Sequence, residues 1–192
     1  MAKLYFNYST MNAGKSTLLL QAAYNYQERG MTTLLMIAAF DDRAGKGRIA
    51  SRIGLGAEAD VFTSEDNVYD HINKAREAGK VDAVLVDEAQ FLTEDQAWQL
   101  ARVADELRIP VMCYGLRTDF QGKLFPGSAA LLALADNLKE VKTICWCGRK
   151  ATMVARLDAD GNIVEEGNQV EIGGNDKYVS LCRNHWSRRE LG

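Results

Sequence analysis

Ser9-Thr10-Met11-Asn12-Ala13-Gly14-Lys15-Ser16 offers the residue types needed to hold a polyphosphate. The phosphate-loop pattern G-x-x-x-x-G-K-[ST] is met at Gly14, Lys15 and Ser16, with Ser9 standing where its first Gly would be. In such a loop, backbone N–H groups and a helix N-terminus face the phosphates. Lys15 would reach the β and γ oxygens and the Ser16 hydroxyl would ligate Mg²⁺. A Gly-Lys-Ser triplet can also open a helix by chance. The apolar run over residues 3–8 and the helical pattern from Lys15 supply the strand-then-helix context that favours the phosphate reading.

A second cluster is acidic. Val84-Leu85-Val86-Asp87-Glu88-Ala89-Gln90-Phe91 reads as a buried strand that ends in two carboxylates. In a parallel sheet that end opens into the same crevice as the phosphate loop. Asp87 would then hold Mg²⁺, and Glu88 could take a proton from an attacking hydroxyl. Without the upstream loop, the pair could equally begin a solvated turn. An acid here can also activate water, as in helicases, but those need tandem domains and a nucleic-acid channel.

Cys145-x-Cys147 and Cys182-x-x-His185 are two ligand pairs with 34 residues between them. Three thiolates and an imidazole fill a tetrahedral zinc site with no open position, which predicts a structural ion. Four unlinked thiols are the alternative. Cys113, in an apolar stretch, reads as a core thiol, and His71 is given no role.

These groups need a scaffold. Residues 3–8, 33–38, 83–86 and 110–114 read as strands apolar on both faces. Leu18, Leu19, Ala22, Ala23 and Tyr26 mark one helix, ended by Gly30, and residues 68–78 a second. Thr93 with Gln96 forms a capping box for a third helix, running to about Leu107, with Trp98, Leu100 and Ala101 as packing residues. Residues 41–56, rich in Gly and Arg, predict a mobile loop. The expected fold is α/β: a P-loop, RecA-like, mostly parallel sheet with helices on both faces. After Ile144 the texture turns to cysteine, glycine and short alternating segments, with a hairpin turn at residues 158–162. This predicts an ATP-binding domain over residues 1–142 and a zinc domain over 143–192.

The whole chain has 192 residues, 47% of them apolar, and a net charge of −3. That balance argues against a broad grip on nucleic acid. No targeting segment or membrane span is visible, and the cysteines suit a reducing compartment, so the expected location is cytoplasmic.

The two motifs and the Cys/His pairs, in this order, resemble the cellular-type (type II) thymidine kinases, bacterial members most closely. Asp41-Asp42-Arg43, residues 114–120 (YGLRTDF) and residues 172–178 (IGGNDKY) extend the resemblance over about residues 3–189. It implies that Ser9 to Ser16 and Asp87, Glu88, Ala89 and Gln90 bind ATP and its Mg²⁺, with Glu88 as base and Asp41 and Arg43 as nucleotide contacts. It also implies that Phe120, Gln169, Val170, Glu171, Ile172, Gly173 and Tyr178 enclose thymidine under a zinc-held lasso, in a homotetramer. An aromatic slot from Phe91, Phe120, Phe125 and Tyr178 would suit a flat base, with core packing equally open for Phe91 and Phe125. Gly115, Gly122, Gly127, Gly173 and Gly174 would let backbone approach it. A P-loop ATPase or nucleotide switch with a protein-binding zinc ribbon shares every motif except the acceptor pocket.

Overall fold

A computed structural model describes residues 1–39, 47–169 and 177–192. Its centre is a six-stranded sheet of β1 (Leu4–Ser9), β2 (Thr33–Ala38), β5 (Asp60–Phe62), β6 (Ala83–Asp87), β7 (Val111–Leu116) and β8 (Asn137–Glu140). The spatial order is β5-β2-β6-β7-β1-β8, and every pairing is parallel. Such a sheet must be covered on both faces, and the alternation of side chains shows how. Met36, Ala38, Val84, Val86, Val111 and Cys113 face one core. Three helices supply its other side: α2 (Val68–Ala78), α3 (Glu94–Arg102) and α4 (Pro126–Leu134). Leu35, Ile37, Ala83, Leu85 and Tyr114 face the other core, against α1 (Lys15–Gln27) and Ile49.

The Thr93 hydroxyl accepts from the Gln96 N–H and the Gln96 side chain accepts from the Thr93 N–H, so the capping box is present. Beyond Arg102 the helix continues as a wider π-turn, Val103–Leu107, closed by Arg108 in a left-handed conformation. Leu18 is 40% exposed, and Leu20 takes its place in the core with Leu19 and Ala23. The buried Lys15 fixes the phase of α1, because Leu19 lies one turn on from it. Trp98, expected to pack, is 53% exposed.

The segment expected to be an unstructured loop holds a hairpin among its described residues. β3 (Arg48–Ala50) pairs antiparallel with β4 (Gly56–Glu58). Gly54, at φ +87°, takes the turn conformation that side chains resist. Three-residue strands are too short to show alternation.

The large sheet ends with Glu140, and small antiparallel sheets follow. One pairs β9 (Thr143–Ile144) with β10 (Lys150–Ala151). The other places β11 (Met153–Leu157) between β12 (Ile163–Val164) and β13 (Tyr178–Leu181). The expected turn joins β11 to β12, the Asp158 carboxylate accepting from the Asp160 and Asn162 N–H groups. Helix α5 (Arg183–Arg188) follows β13. Among the described residues no helix is long and apolar enough to cross a membrane.

Candidate active site and metal centre

Strand β1 stops at Ser9 and α1 starts at Lys15, so the intervening loop must turn sharply. Asn12 at φ +61° and Gly14 at φ +81° make that turn. The Ser9 side chain accounts for the missing glycine: its hydroxyl donates to the Val141 carbonyl, tying the loop's entry to the end of the large sheet. Lys15 is 8% exposed and donates to the Thr10 carbonyl at 2.8 Å. A cleft of about 490 Å³ is lined by residues 11–17, by Asp87 and Glu88, and by Arg48 and residues 50–53 of the hairpin. Ser9 and Thr10 are buried beside it.

Asp87 ends β6 fully within the fold, at 3% exposure. Burial, then the neighbouring Glu88 carboxylate, pushes its carboxyl up to about 7, against a hydrogen bond from the Ser16 hydroxyl and the charge of Lys15. A buried carboxylate joined to a hydroxyl at a phosphate loop is a hard oxygen donor set, fitted to Mg²⁺ that arrives with a nucleotide.

Glu88 sits at φ +51°, a conformation costing a non-glycine residue roughly 1–3 kcal/mol. Gln90 holds it there. The Gln90 Nε2 donates to Glu88 Oε2 at 2.5 Å, and its Oε1 accepts from the Leu116 N–H at 3.0 Å. Gly115 leaves room for this bridge, since a Cβ there would lie 2.9 Å from Gln90 Oε1. Gln90 is 2% exposed and Ala89 packs in the core.

Among the residues expected to enclose the nucleoside, Phe120 is 4% exposed, with the Arg156 guanidinium 3.9 Å from its ring centre. Tyr178 pairs across the strands with Arg156 and stays half-buried. Gln169 Nε2 donates to Asp119 Oδ2 at 2.9 Å, and Asp119 also receives the Gln121 and Lys123 N–H groups. Phe91 and Phe125 meet edge to face at 6.0 Å, Phe125 within the core. Gly115 and Gly127 are needed against the 89–92 segment: a Cβ on Gly127 would lie 2.6 Å from the Leu92 carbonyl. Asp41, Arg43, Val170, Glu171, Ile172, Gly173 and Gly174 lie outside the described residues.

The four metal-ligand candidates converge. One ligand atom from each of Cys145, Cys147, Cys182 and His185 lies within 4.8 Å of the others. The β9–β10 turn, with Gly148 at φ +80°, delivers the first pair, and the end of β13 with α5 delivers the second. Cys147 Sγ is 4.0 Å from Cys182 Sγ, and Cys145 Sγ is 3.4 Å from His185 Nδ1. Tetrahedral zinc with bonds of about 2.3 Å to sulfur and 2.0 Å to nitrogen needs edges of roughly 3.8 and 3.5 Å. The cluster can therefore hold a metal such as zinc. His185 Nε2 faces Glu190 at 3.6 Å and the ring stacks on Trp146 at 4.3 Å, which orients Nδ1 inward. Burial alone would raise the Cys145 thiol, but N–H groups of Cys147 and Cys182 and the His185 ring bring it down to about 6.

The family model for thymidine kinase matches residues 2–186. The chain belongs to the thymidine kinase family. The thymidine kinase of Rhizobium meliloti is 69% identical, covering 98% of each chain. That of Ruegeria pomeroyi is 70% identical over 97% of this chain and 94% of its own. That of Haemophilus influenzae is 59% identical over 98% of each.

In this family member the hairpin residues Arg48, Arg52 and Ile53 line the phosphate cleft, and sequence reasoning missed them. The available signal was the two arginines, Arg48 and Arg52, four residues apart around Ile49.

Proposed function

We propose that this chain transfers the γ-phosphate of ATP to the 5′-hydroxyl of thymidine, giving dTMP and ADP. One observation carries the reading beyond family membership. The phosphate loop and the β6 carboxylates meet in one cleft, with Ser16 bonded to Asp87 and Glu88 one residue beyond. In this reading the loop N–H groups and Lys15 hold the β and γ phosphates, with Ser16 and Asp87 as the Mg²⁺ partners. Bound Mg²⁺ neutralises charge developing on the transferred group. Glu88 takes the proton of the 5′-hydroxyl as that oxygen bonds to γ-phosphorus and the bond to the ADP oxygen breaks. Gln90 aims Glu88 through the bond from its Nε2 to Glu88 Oε2.

Tyr178, Gln169 and Phe120 belong to the acceptor side, with Arg156 on the covered face of Phe120. Val170, Glu171, Ile172 and Gly173 complete it on the resemblance alone, as Asp41 and Arg43 do for the nucleotide. We infer an ATP-binding unit over residues 1–142 and a lid unit over 143–192, a division supported by the large sheet's end at Glu140. The reading extends to structural zinc in the lid and to a cytoplasmic homotetramer. Incubation with labelled ATP, Mg²⁺ and a panel of nucleosides tests the activity. Labelled dTMP is the expected product, and ATP hydrolysis without a nucleoside monophosphate would favour the ATPase alternative.

A further inference from the structure

Side-chain bonds tie the phosphate loop to the C-terminal half of the chain at two points. The Ser9 hydroxyl donates to the Val141 carbonyl at the loop's entry. The second lies further into the loop, where the Ser180 hydroxyl donates to the Met11 carbonyl at 2.6 Å and accepts from the Thr10 hydroxyl at 3.2 Å. Thr10 Oγ1 also lies 3.2 Å from the Met11 carbonyl, so the three residues close a small network.

The geometry of a trans peptide gives this contact a consequence. The C=O of Met11 and the N–H of Asn12 belong to one planar unit and point in opposite directions. Holding the Met11 oxygen against β13 turns the Asn12 N–H to the other side of the loop, and Asn12 lines the phosphate cleft. Ser180 also shares a face of β13 with Tyr178, because side chains two apart on a strand point the same way. One short strand therefore carries a residue of the acceptor side and the anchor of a phosphate-loop peptide.

We propose that Ser180 is a positioning residue through which occupancy of the acceptor side improves the phosphate loop's grip on the nucleotide. The inference rests on the assignment of Tyr178 to the nucleoside side. Seating a nucleoside against β13 fixes the strand, the strand fixes the Met11 carbonyl, and the loop presents Asn12 N–H to the phosphates. The two ligands then bind with reciprocal cooperativity, as linkage requires. A purely structural hydroxyl would instead contribute to stability alone.

The test is calorimetric binding of Mg·ADP with and without saturating thymidine, alongside steady-state kinetics. The wild type is expected to bind ADP more tightly when thymidine is present. In Ser180→Ala that gain, and kcat, should fall about 2- to 10-fold, the worth of one neutral hydrogen bond. The affinity for thymidine in the absence of nucleotide, the metal content and Tm should stay close to wild type, while thymidine affinity with nucleotide bound should weaken by the same factor as the lost gain. Ser180→Thr keeps the hydroxyl and should restore the coupling. No gain in the wild type, an unchanged gain in Ser180→Ala, or no restoration by threonine would each overturn the inference. So would a loss of stability in Ser180→Ala with intact coupling. Failure of the wild type to phosphorylate thymidine is a separate result, and would remove the functional reading itself.

Discussion

Glu88 and Asp87 are adjacent in sequence, yet the fold asks different things of them. Glu88 is held in a strained conformation by Gln90, at the lip of the cleft. Replacing it with glutamine keeps the shape and removes the base, so turnover should fall 10²- to 10⁴-fold while ATP binding persists. Near-normal turnover in Glu88→Gln, measured with saturating thymidine, would move the base elsewhere. Asp87 is buried, and its carboxyl keeps a proton up to about 7, whereas an unfolded aspartate releases it near about 3.9. The native state binds that proton more tightly. The contribution of Asp87 to stability is therefore fullest below about pH 4 and is lost as pH rises through about 7. In nucleotide-free protein, Asp87→Asn should flatten the dependence of Tm on pH across this interval. An unchanged slope would mean that another group sets it.

At the scale of elements, the 89–92 segment is squeezed between two close neighbours. Glycine to alanine inside a helix ordinarily gains about 1 kcal/mol. At Gly127 the added Cβ would sit 2.6 Å from the Leu92 carbonyl and 2.7 Å from that of Ala89. Overpacking of this kind costs roughly 1–3 kcal/mol, so the sign should reverse. Gly127→Ala is expected to lower Tm and, because the shifted segment follows Glu88, to lower kcat with it. A higher Tm would show that α4 can slide outward at little cost.

The legibility of the elements follows from length and period. β2, α2 and the capped start of α3 declare themselves through a continuous apolar run, a 3.6-residue stripe and a Thr-x-x-Gln box. The hairpin at Arg48 and the edge strand β8 stayed hidden because strands of three or four residues are too short to carry a period. The phosphate loop, the acids and the Cys/His set were readable because their chemistry dictates residue type at fixed spacing. The bridge that Gln90 makes between Glu88 and Leu116 was not, since only the approach of Gly115 and Leu116 from another strand creates it.

At the scale of the whole molecule, the metal cluster links the β9–β10 turn to the end of the strand that carries Ser180. Metal binding to such a small unit is folding free energy. One zinc per chain is expected by elemental analysis of protein prepared without chelator. Cys182→Ser should lose it, melt earlier and turn over more slowly. Zinc-free wild type with full stability would sink that assignment. The sheet order has one more consequence, and it concerns time. β1 lies between β7 and β8, so it is synthesised well before either neighbour. Cys182 and His185 emerge later still. The phosphate loop is thus the first motif synthesised and among the last to be seated, its Met11 carbonyl waiting for Ser180. A nascent chain carries the phosphate-loop sequence well before β7, β8 and β13, the strands that border it, have been made.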